Sequence, residues 1–436
     1  MTRLRWNWMV LLMTIGGLVV SALVSAAIPQ ADDIIINNGT ITFVIKHMSH
    51  SRVIANMTAF QYGLLDRLHR RSNNGRRSLQ GRRPPIMLPL VSGYHLESGG
   101  YYAQPMVGSK RRFFYLSVDT GTDLSWMQCQ PCALCHPQIN EPIFTPGVDS
   151  TTLSVVSGGH LLCALLREHA TSRPDSPLCS YTISYMDGAT TSGTLVTDTF
   201  TLAGASLPSI AFGCSSRSEG FLGINSAGIL GLARGPLSFP SQLRRRNIIH
   251  PSTLSFCLPP MYSPSTSTLT FGTPQLSPTT LFTPLLTNPA APLFYYVPLM
   301  GISVAETLLS QLSPSLFRID PETGHGGTYL DTNAAVTRLH PVAYQVLRDT
   351  MKAAIASDAP HLILAHPYVD LLDTCYLPKS EAVPYDRLRD GVPSVSIHFG
   401  GANLELSPDQ VLMPLGKPGK PPRQASLPLL HPFPLR

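Results

Sequence analysis

Two aspartates, each ending a short apolar run and each followed by threonine, are the residues of this 436-residue chain whose types and spacing could do chemistry. The first closes Phe113-Phe-Tyr-Leu-Ser-Val-Asp119-Thr120-Gly121-Thr122, and the second closes Thr328-Tyr-Leu-Asp331-Thr332-Asn333-Ala334. A carboxylate carried inward by an apolar strand is costly unless it is hydrogen-bonded or given work. Thr120, Gly121, Thr122 and Thr332 offer hydroxyls and an unhindered backbone for that purpose. Two such carboxylates facing one another cannot both ionise cheaply, so they would share a proton and titrate apart. The ionised partner could take a proton from water while the protonated one polarises an amide carbonyl. That is the chemistry of peptide-bond hydrolysis.

The elements that must position these groups are strands. Val118 and the aromatics before it read as a buried strand, and Thr328-Tyr-Leu reads as its counterpart in the other half. One apolar strand ending in Asp-Thr per half predicts a duplicated architecture. Cys179-Ser-Tyr-Thr-Ile-Ser-Tyr185-Met-Asp-Gly188 and the residues after it predict a β-hairpin. A helix is predicted over Leu339–Ile355, with Pro341 near its start and Tyr344, Leu347, Met351, Ala354 and Ile355 on one face. Charged residues make up 13% of the chain against roughly 25% in typical soluble domains, and 40 residues are proline, which favours a β-rich, loop-rich protein.

The first motif continues as Asp-Leu-Ser-Trp126, then Gln128-Cys129-Gln-Pro-Cys132-Ala-Leu-Cys135. With its flanks, the second copy, Ile229-Leu230-Gly231 and Pro236 through Gln242, this resembles the pepsin-like aspartic proteases, most of all the plant nepenthesin-like branch, over about residues 98–413. The resemblance implies a mostly β, bilobal fold. It implies Asp119 and Asp331 as catalytic residues, supported by Thr120, Gly121, Thr122 and Thr332, with no metal or organic cofactor. It implies a flap over the cleft in which Trp126 can hydrogen-bond Tyr185, and Ile229-Leu230-Gly231 as a brace beneath the first Asp loop. Activity would be that of an endopeptidase at acidic pH on protein or peptide substrates, from a monomer that binds no nucleic acid. An alternative is a catalytically impaired relative that uses the cleft to bind or inhibit another protein.

Residues 1–27 carry Arg3 and Arg5, an apolar run and a small-residue end, the pattern of a secretory signal. Removal of that leader would leave no membrane segment and a secreted, extracellular or vacuolar protein. Behind a signal, Cys129, Cys132, Cys135, Cys163, Cys179, Cys214 and Cys257 are disulfide candidates rather than metal ligands, with connectivity open and Cys375 alone in the second half. Residues 28–90 read as a basic prosegment with sequons at Asn38 and Asn56 and a basic amphipathic stretch over Ala59–Arg71. Residues 1–83 hold eleven Lys or Arg against three acids, so this arm carries +8 and, with +6 for the whole chain, the remainder is about −2. A cationic arm could lie in an acidic cleft and leave when carboxylates protonate. Residues 91–273 and 274–414 would form the two lobes, and 415–436 a proline-rich tail without strand pattern.

Three departures concern the second lobe. Asn333 and Ala334 stand where the family has Gly and Thr or Ser, so Asp331 lacks the hydroxyl that Thr122 offers Asp119. No apolar-apolar-Gly brace for the second loop is found after Leu412, and the lobe is expected to be incomplete, as if truncated. Cys375 lacks a downstream partner.

Overall fold

The computed structural model describes residues 85–415, except 94–97, 99, 139–140, 222–224, 250–252, 259–266, 273–279, 335, 366–372, 381–382 and 384–386, together with strands Ser21–Val24, Thr40–Val44, Gln424–Ser426 and Leu429–Leu430. The sequons at Asn38 and Asn56 and the stretch over Ala59–Arg71 lie outside the described residues.

Strands dominate. The first lobe is one 13-stranded sheet in which Leu116–Asp119 is central. That strand is buried along its whole length, as expected of a strand with a parallel neighbour. Its parallel partner is Gly228–Gly231, which also pairs antiparallel with Trp126–Gln128. The approach is close because Gly228 has no side chain: a Cβ there would lie 2.1 Å from the Trp126 carbonyl oxygen. The hairpin of Ser180–Ser184 with Thr190–Leu202 extends from the same sheet.

The second lobe is divided into smaller sheets. Tyr295–Val297 pairs with Thr328–Leu330. Leu299–Val304 joins Thr307–Leu308, Val395–Phe399 and Ala402–Leu406. Cys375–Pro378 joins Leu362–Ala365, Gln424–Ser426 and Met413–Leu415. One hydrophobic core runs through both lobes, from Phe114, Leu116 and Val118 to Leu330, Tyr344 and Phe399.

Four expectations change. The boundary at residue 90 falls inside strand Ile86–Ser92, whose alternate residues Ile86, Leu88 and Leu90 are core, so the first lobe begins at least as early as Ile86. The tail does form strands: Gln424–Ser426 bonds Cys375–Tyr376 and Met413–Leu415, and Leu429–Leu430 bonds Thr337–Arg338 in parallel. Ladder pairing uses backbone alone, which side-chain alternation cannot reveal in segments this short. The helix spans Pro341–Asp358, because the His340 side chain accepts from the Val342 N–H and places Pro341 in the first turn; Ala343 rather than Ala354 is on its buried face. Cys257 forms no disulfide: the described pairs are Cys129–Cys214, Cys132–Cys135 and Cys163–Cys179, and Cys257 and Cys375 remain thiols. Ser21–Val24, inside the expected leader, pairs with Thr40–Val44, which pairs with Leu281–Pro284 at the start of the second lobe.

Candidate active site

The ends of strands Leu116–Asp119 and Thr328–Leu330 meet where the lobes join. Each Asp-Thr threonine reaches into the other loop. Thr120 Oγ1 donates to the Leu330 carbonyl at 3.0 Å and accepts from the Thr332 N–H at 3.1 Å. Reciprocally, Thr332 Oγ1 donates to the Val118 carbonyl at 2.8 Å and accepts from the Thr120 N–H at 3.2 Å. Both threonines are buried, so these four bonds replace water at groups that need partners.

The carboxylates are thereby brought together. Asp119 is buried, and Asp331 is half-buried. A Cβ built on Gly121 would lie 3.1 Å from Asp119 Oδ1 and 3.5 Å from Asp331 Oδ2, so the glycine borders both groups. Asp119 Oδ1 accepts from the Gly121 N–H at 2.7 Å, and Oδ2 accepts from the Thr122 hydroxyl at 2.6 Å. Asp331 Oδ1 accepts from the Asn333 N–H at 2.8 Å. Burial raises the pKa of Asp119, opposed by the Thr122 hydroxyl and the Gly121 and Thr122 N–H groups. Burial also raises that of Asp331, and the Asp119 charge raises it further. The donors opposing that rise are backbone N–H groups, with a further contribution from the Arg338 charge.

Above the pair stands the hairpin tip. Trp126 Nε1 donates to the Tyr185 hydroxyl at 2.7 Å, and Phe221 packs edge-on against Tyr185 at 5.5 Å. The turn closes through Gly188, whose φ of +90° suits glycine, with the Tyr185 N–H bonded to the Ala189 carbonyl at 2.8 Å. Met186 at the tip is exposed, yet its sulfur accepts from the Tyr329 hydroxyl of the second lobe at 3.9 Å. Phe294 stacks on Tyr329 at 4.5 Å to form the opposite wall. The open cleft between the two walls, about 460 Å³, contains Asp119, Gly121, Tyr185, Phe294, Tyr329 and Asp331 along its lining. A peptide could lie between these aromatic walls with an amide carbonyl over the carboxylates.

The motifs and their spacing mark both aspartates, their threonines, Trp126 and Tyr185, and the structure brings them together. They do not mark Ser117, whose hydroxyl donates to Asn333 Oδ1 at 2.7 Å. A single hydroxyl inside an apolar run is the available signal. Nor do they mark Phe294 and Arg338, which enter the cleft from segments without motif.

A bilobal β structure carrying one Asp-Thr loop per lobe beneath a hairpin flap is the architecture of an acid-protease fold. Family models described as "Xylanase inhibitor N-terminal" and "Xylanase inhibitor C-terminal" match residues 101–273 and 294–417. Aspartyl protease family protein 2 of Arabidopsis thaliana is 36% identical over 334 residues, 76% of this chain and 64% of that protein. The aspartic proteinase nepenthesin-1 of Nepenthes gracilis is 34% identical over 369 residues, 83% of this chain and 77% of that protein. The crystal structure of basic 7S globulin from soybean shares the fold, with a TM-score of 0.58 at 17% identity, covering 79% of this chain and 85% of that one. The chain belongs to the pepsin-like plant aspartic protease family, of which the nepenthesins are members. It spans under two thirds of the first relative's own length.

Proposed function

We propose that the chain is an aspartic endopeptidase acting at acidic pH through Asp119 and Asp331. What carries the reading is the junction of the two loops. The crossed threonine bonds hold both carboxylates against Gly121, and burial together with the Asp119 charge raises Asp331 in pKa. With one proton between them, Asp119 takes a proton from the attacking water while Asp331, protonated, bonds the scissile carbonyl. Asp331 gives that proton to the carbonyl oxygen as water adds, leaving a neutral tetrahedral diol; on its collapse the proton on Asp119 passes to the leaving nitrogen as the C–N bond breaks, and a diol hydroxyl returns a proton to Asp331. Tyr185, held by Trp126, closes the site against water and keeps the peptide extended. The same reading takes the chain to be a secreted or vacuolar precursor whose residues before Ile86 are removed.

The test is cleavage of a denatured protein at about pH 3–4, with and without pepstatin, by wild type, Asp119→Asn and Asp331→Asn. Pepstatin-sensitive cleavage by wild type alone is the expected result. A correctly folded, processed wild type that cleaves nothing overturns it.

A second reading, a binding or inhibitor protein that retains the cleft as a recognition surface, is favoured by two observations. Ala334 gives Asp331 no hydroxyl, and the matching family models carry an inhibitor's description. Inert protein that binds a glycan-degrading enzyme in a pull-down would support that reading. The binding should then be unaffected by Asp331→Asn.

A further inference from the structure

We propose that Asn333 is a positioning residue for the first aspartate: its side-chain amide, anchored by Ser117 on the strand that carries Asp119, holds the Asp119 carboxylate from the opposite lobe. The inference rests on the hydrolytic reading above and concerns how that pair is biased. Ser117 is fully buried between Leu116 and Val118, so its hydroxyl needs a protein partner. It finds one across the lobe junction, 2.7 Å away at Asn333 Oδ1. An ionised carboxylate can only accept, so the amide group turned towards Asp119 must be Nδ2–H. That requirement leaves Oδ1 for Ser117 and fixes the orientation of the amide. In this orientation Asn333 donates to Asp119 and favours its charged form.

The surroundings are built around the side chain. Gly100, at a φ of +82°, lies where even a Cβ would be 3.7 Å from Asn333 Oδ1. Tyr102 hydrogen-bonds both Ser98 and Ser117, so Tyr102, Ser117, Asn333 and Asp119 form a continuous polar chain beneath the first loop. Asn333 thus gives its backbone N–H to Asp331 and its side chain to Asp119. The donors divide unequally: Gly121, Thr122 and Asn333 serve Asp119, the threonine by hydroxyl as well as backbone, while Asp331 has two backbone N–H groups. The shared proton is thereby directed to Asp331, and Asp119 is kept as the base.

Other titratable or charged groups face the pair. Tyr185 approaches from the flap, Tyr329 from the second-lobe strand and Arg338 from beside Asp331. Tyr102 lies below, and Asp123, Arg167, Glu168, His169 and Asp187 line the rest of the cleft. Burial raises all three tyrosines still further from the acidic range, and the other groups are the same in every variant. A displaced acid limb on changing Asn333 therefore reports Asp119.

The experiment is kcat/KM against pH for wild type, Asn333→Gly, Ser117→Ala and the double variant on a peptide substrate. Asn333→Gly restores the residue usual in the family. Losing the amide raises the Asp119 pKa, so the acid limb moves to higher pH. Activity below the limb falls roughly tenfold each time the limb moves up by one on the pH scale, while the plateau is held. Ser117→Ala moves it the same way by less, and the double variant is no worse than Asn333→Gly. An unmoved limb with equal loss at all pH values, or additive losses, overturns the proposal. A second readout needs no turnover: NMR titration of ¹³C-aspartate-labelled protein, with Asp119 assigned through Asp119→Asn. If wild type cleaves nothing yet the Asp119 titration moves upward in Asn333→Gly, the hydrolytic reading fails and the positioning role stands. If wild type cleaves and that titration does not move, the positioning role fails.

Discussion

The two Asp loops arise from matching stretches of sequence but have different support. Beneath the first, Gly228–Gly231 runs parallel to Leu116–Asp119 and antiparallel to Trp126–Gln128, tying the strands on both sides of the loop into one sheet. Beneath the second, Thr328–Leu330 pairs with Tyr295–Val297, while Thr337–Arg338 pairs with Leu429–Leu430 in a separate ladder. Among the described residues no strand joins those two ladders. The second loop therefore takes its position largely from the first, through the crossed threonines and through Asn333 against Ser117. In this molecule the junction does for Asp331 what a third strand does for Asp119.

The largest effect should come from the asymmetry of side chains at the third motif position. The Asn333 side chain extends to Ser117 on the strand that carries Asp119, whereas a Cβ at Gly121 would lie against both carboxylates. Gly121→Val should lower kcat/KM by on the order of 100-fold or more, because the substrate and water lose their place. Thermal melting should change little, since the position borders an open cleft. Gly121→Val with near-normal kcat/KM would show that the carboxylates do not act across this glycine.

Next is the shared grip, which should be symmetric although the carboxylates are not. Thr332→Val removes two hydrogen bonds of a buried hydroxyl and leaves their partners unmet, at a cost of about 2–4 kcal/mol. Thr120→Val removes the equivalent two and should cost about the same. Urea melts of both variants measure this. A cost confined to one of them would mean that the lobes are held elsewhere.

Much of the first loop is legible in the sequence because its chemistry is local. Asp119, Gly121 and Thr122 bond one another within three positions, and Tyr185 directly follows a strand, Ser180–Ser184, that announces itself by alternation. The crossed threonines are legible as residues but not as partners, since each bonds the backbone some 210 residues away. In the sequence Asn333 reads as a Gly substitute with a side chain to accommodate; that the side chain has a buried serine to bond is a fact of tertiary packing. The late strands escape a sequence reading because Gln424–Ser426 and Leu429–Leu430 have three and two residues, too few for any period.

A smaller effect should come from restoring the hydroxyl that the second loop lacks. Ala334→Thr would add a donor to the ionised Asp331 and so lower its pKa, which burial and Asp119 have raised. Activity requires Asp331 protonated and is lost as pH rises through that pKa. The neutral-side limb of kcat/KM should therefore move to lower pH by roughly one unit, the size of one hydrogen bond to a charged group. The acid limb, set by Asp119, should stay in place, which separates this variant from Asn333→Gly.

The smallest effect belongs to a buried carboxylate that the first lobe has beside its loop. Glu141 accepts from the Tyr115 N–H at 2.7 Å, and since the Tyr115 carbonyl accepts from the Ala227 N–H at 2.9 Å, this carboxylate sits where the lead-in of the Asp119 strand meets the segment that enters its brace. Burial pushes its pKa up to about 8. A carboxyl raised in the folded state binds its proton more tightly there than in the unfolded chain. Its contribution to stability is full below the unfolded value, about 4.5, and is lost as pH rises towards 8. Glu141→Gln keeps an acceptor and removes the titration. The variant should match wild type in melting temperature at pH 4 and exceed it by a few degrees at pH 8, with kcat/KM unchanged at acidic pH. An equal difference at both pH values would mean that Glu141 acts by packing alone, and that the first lobe's firmness near Asp119 does not weaken as the solution is made neutral.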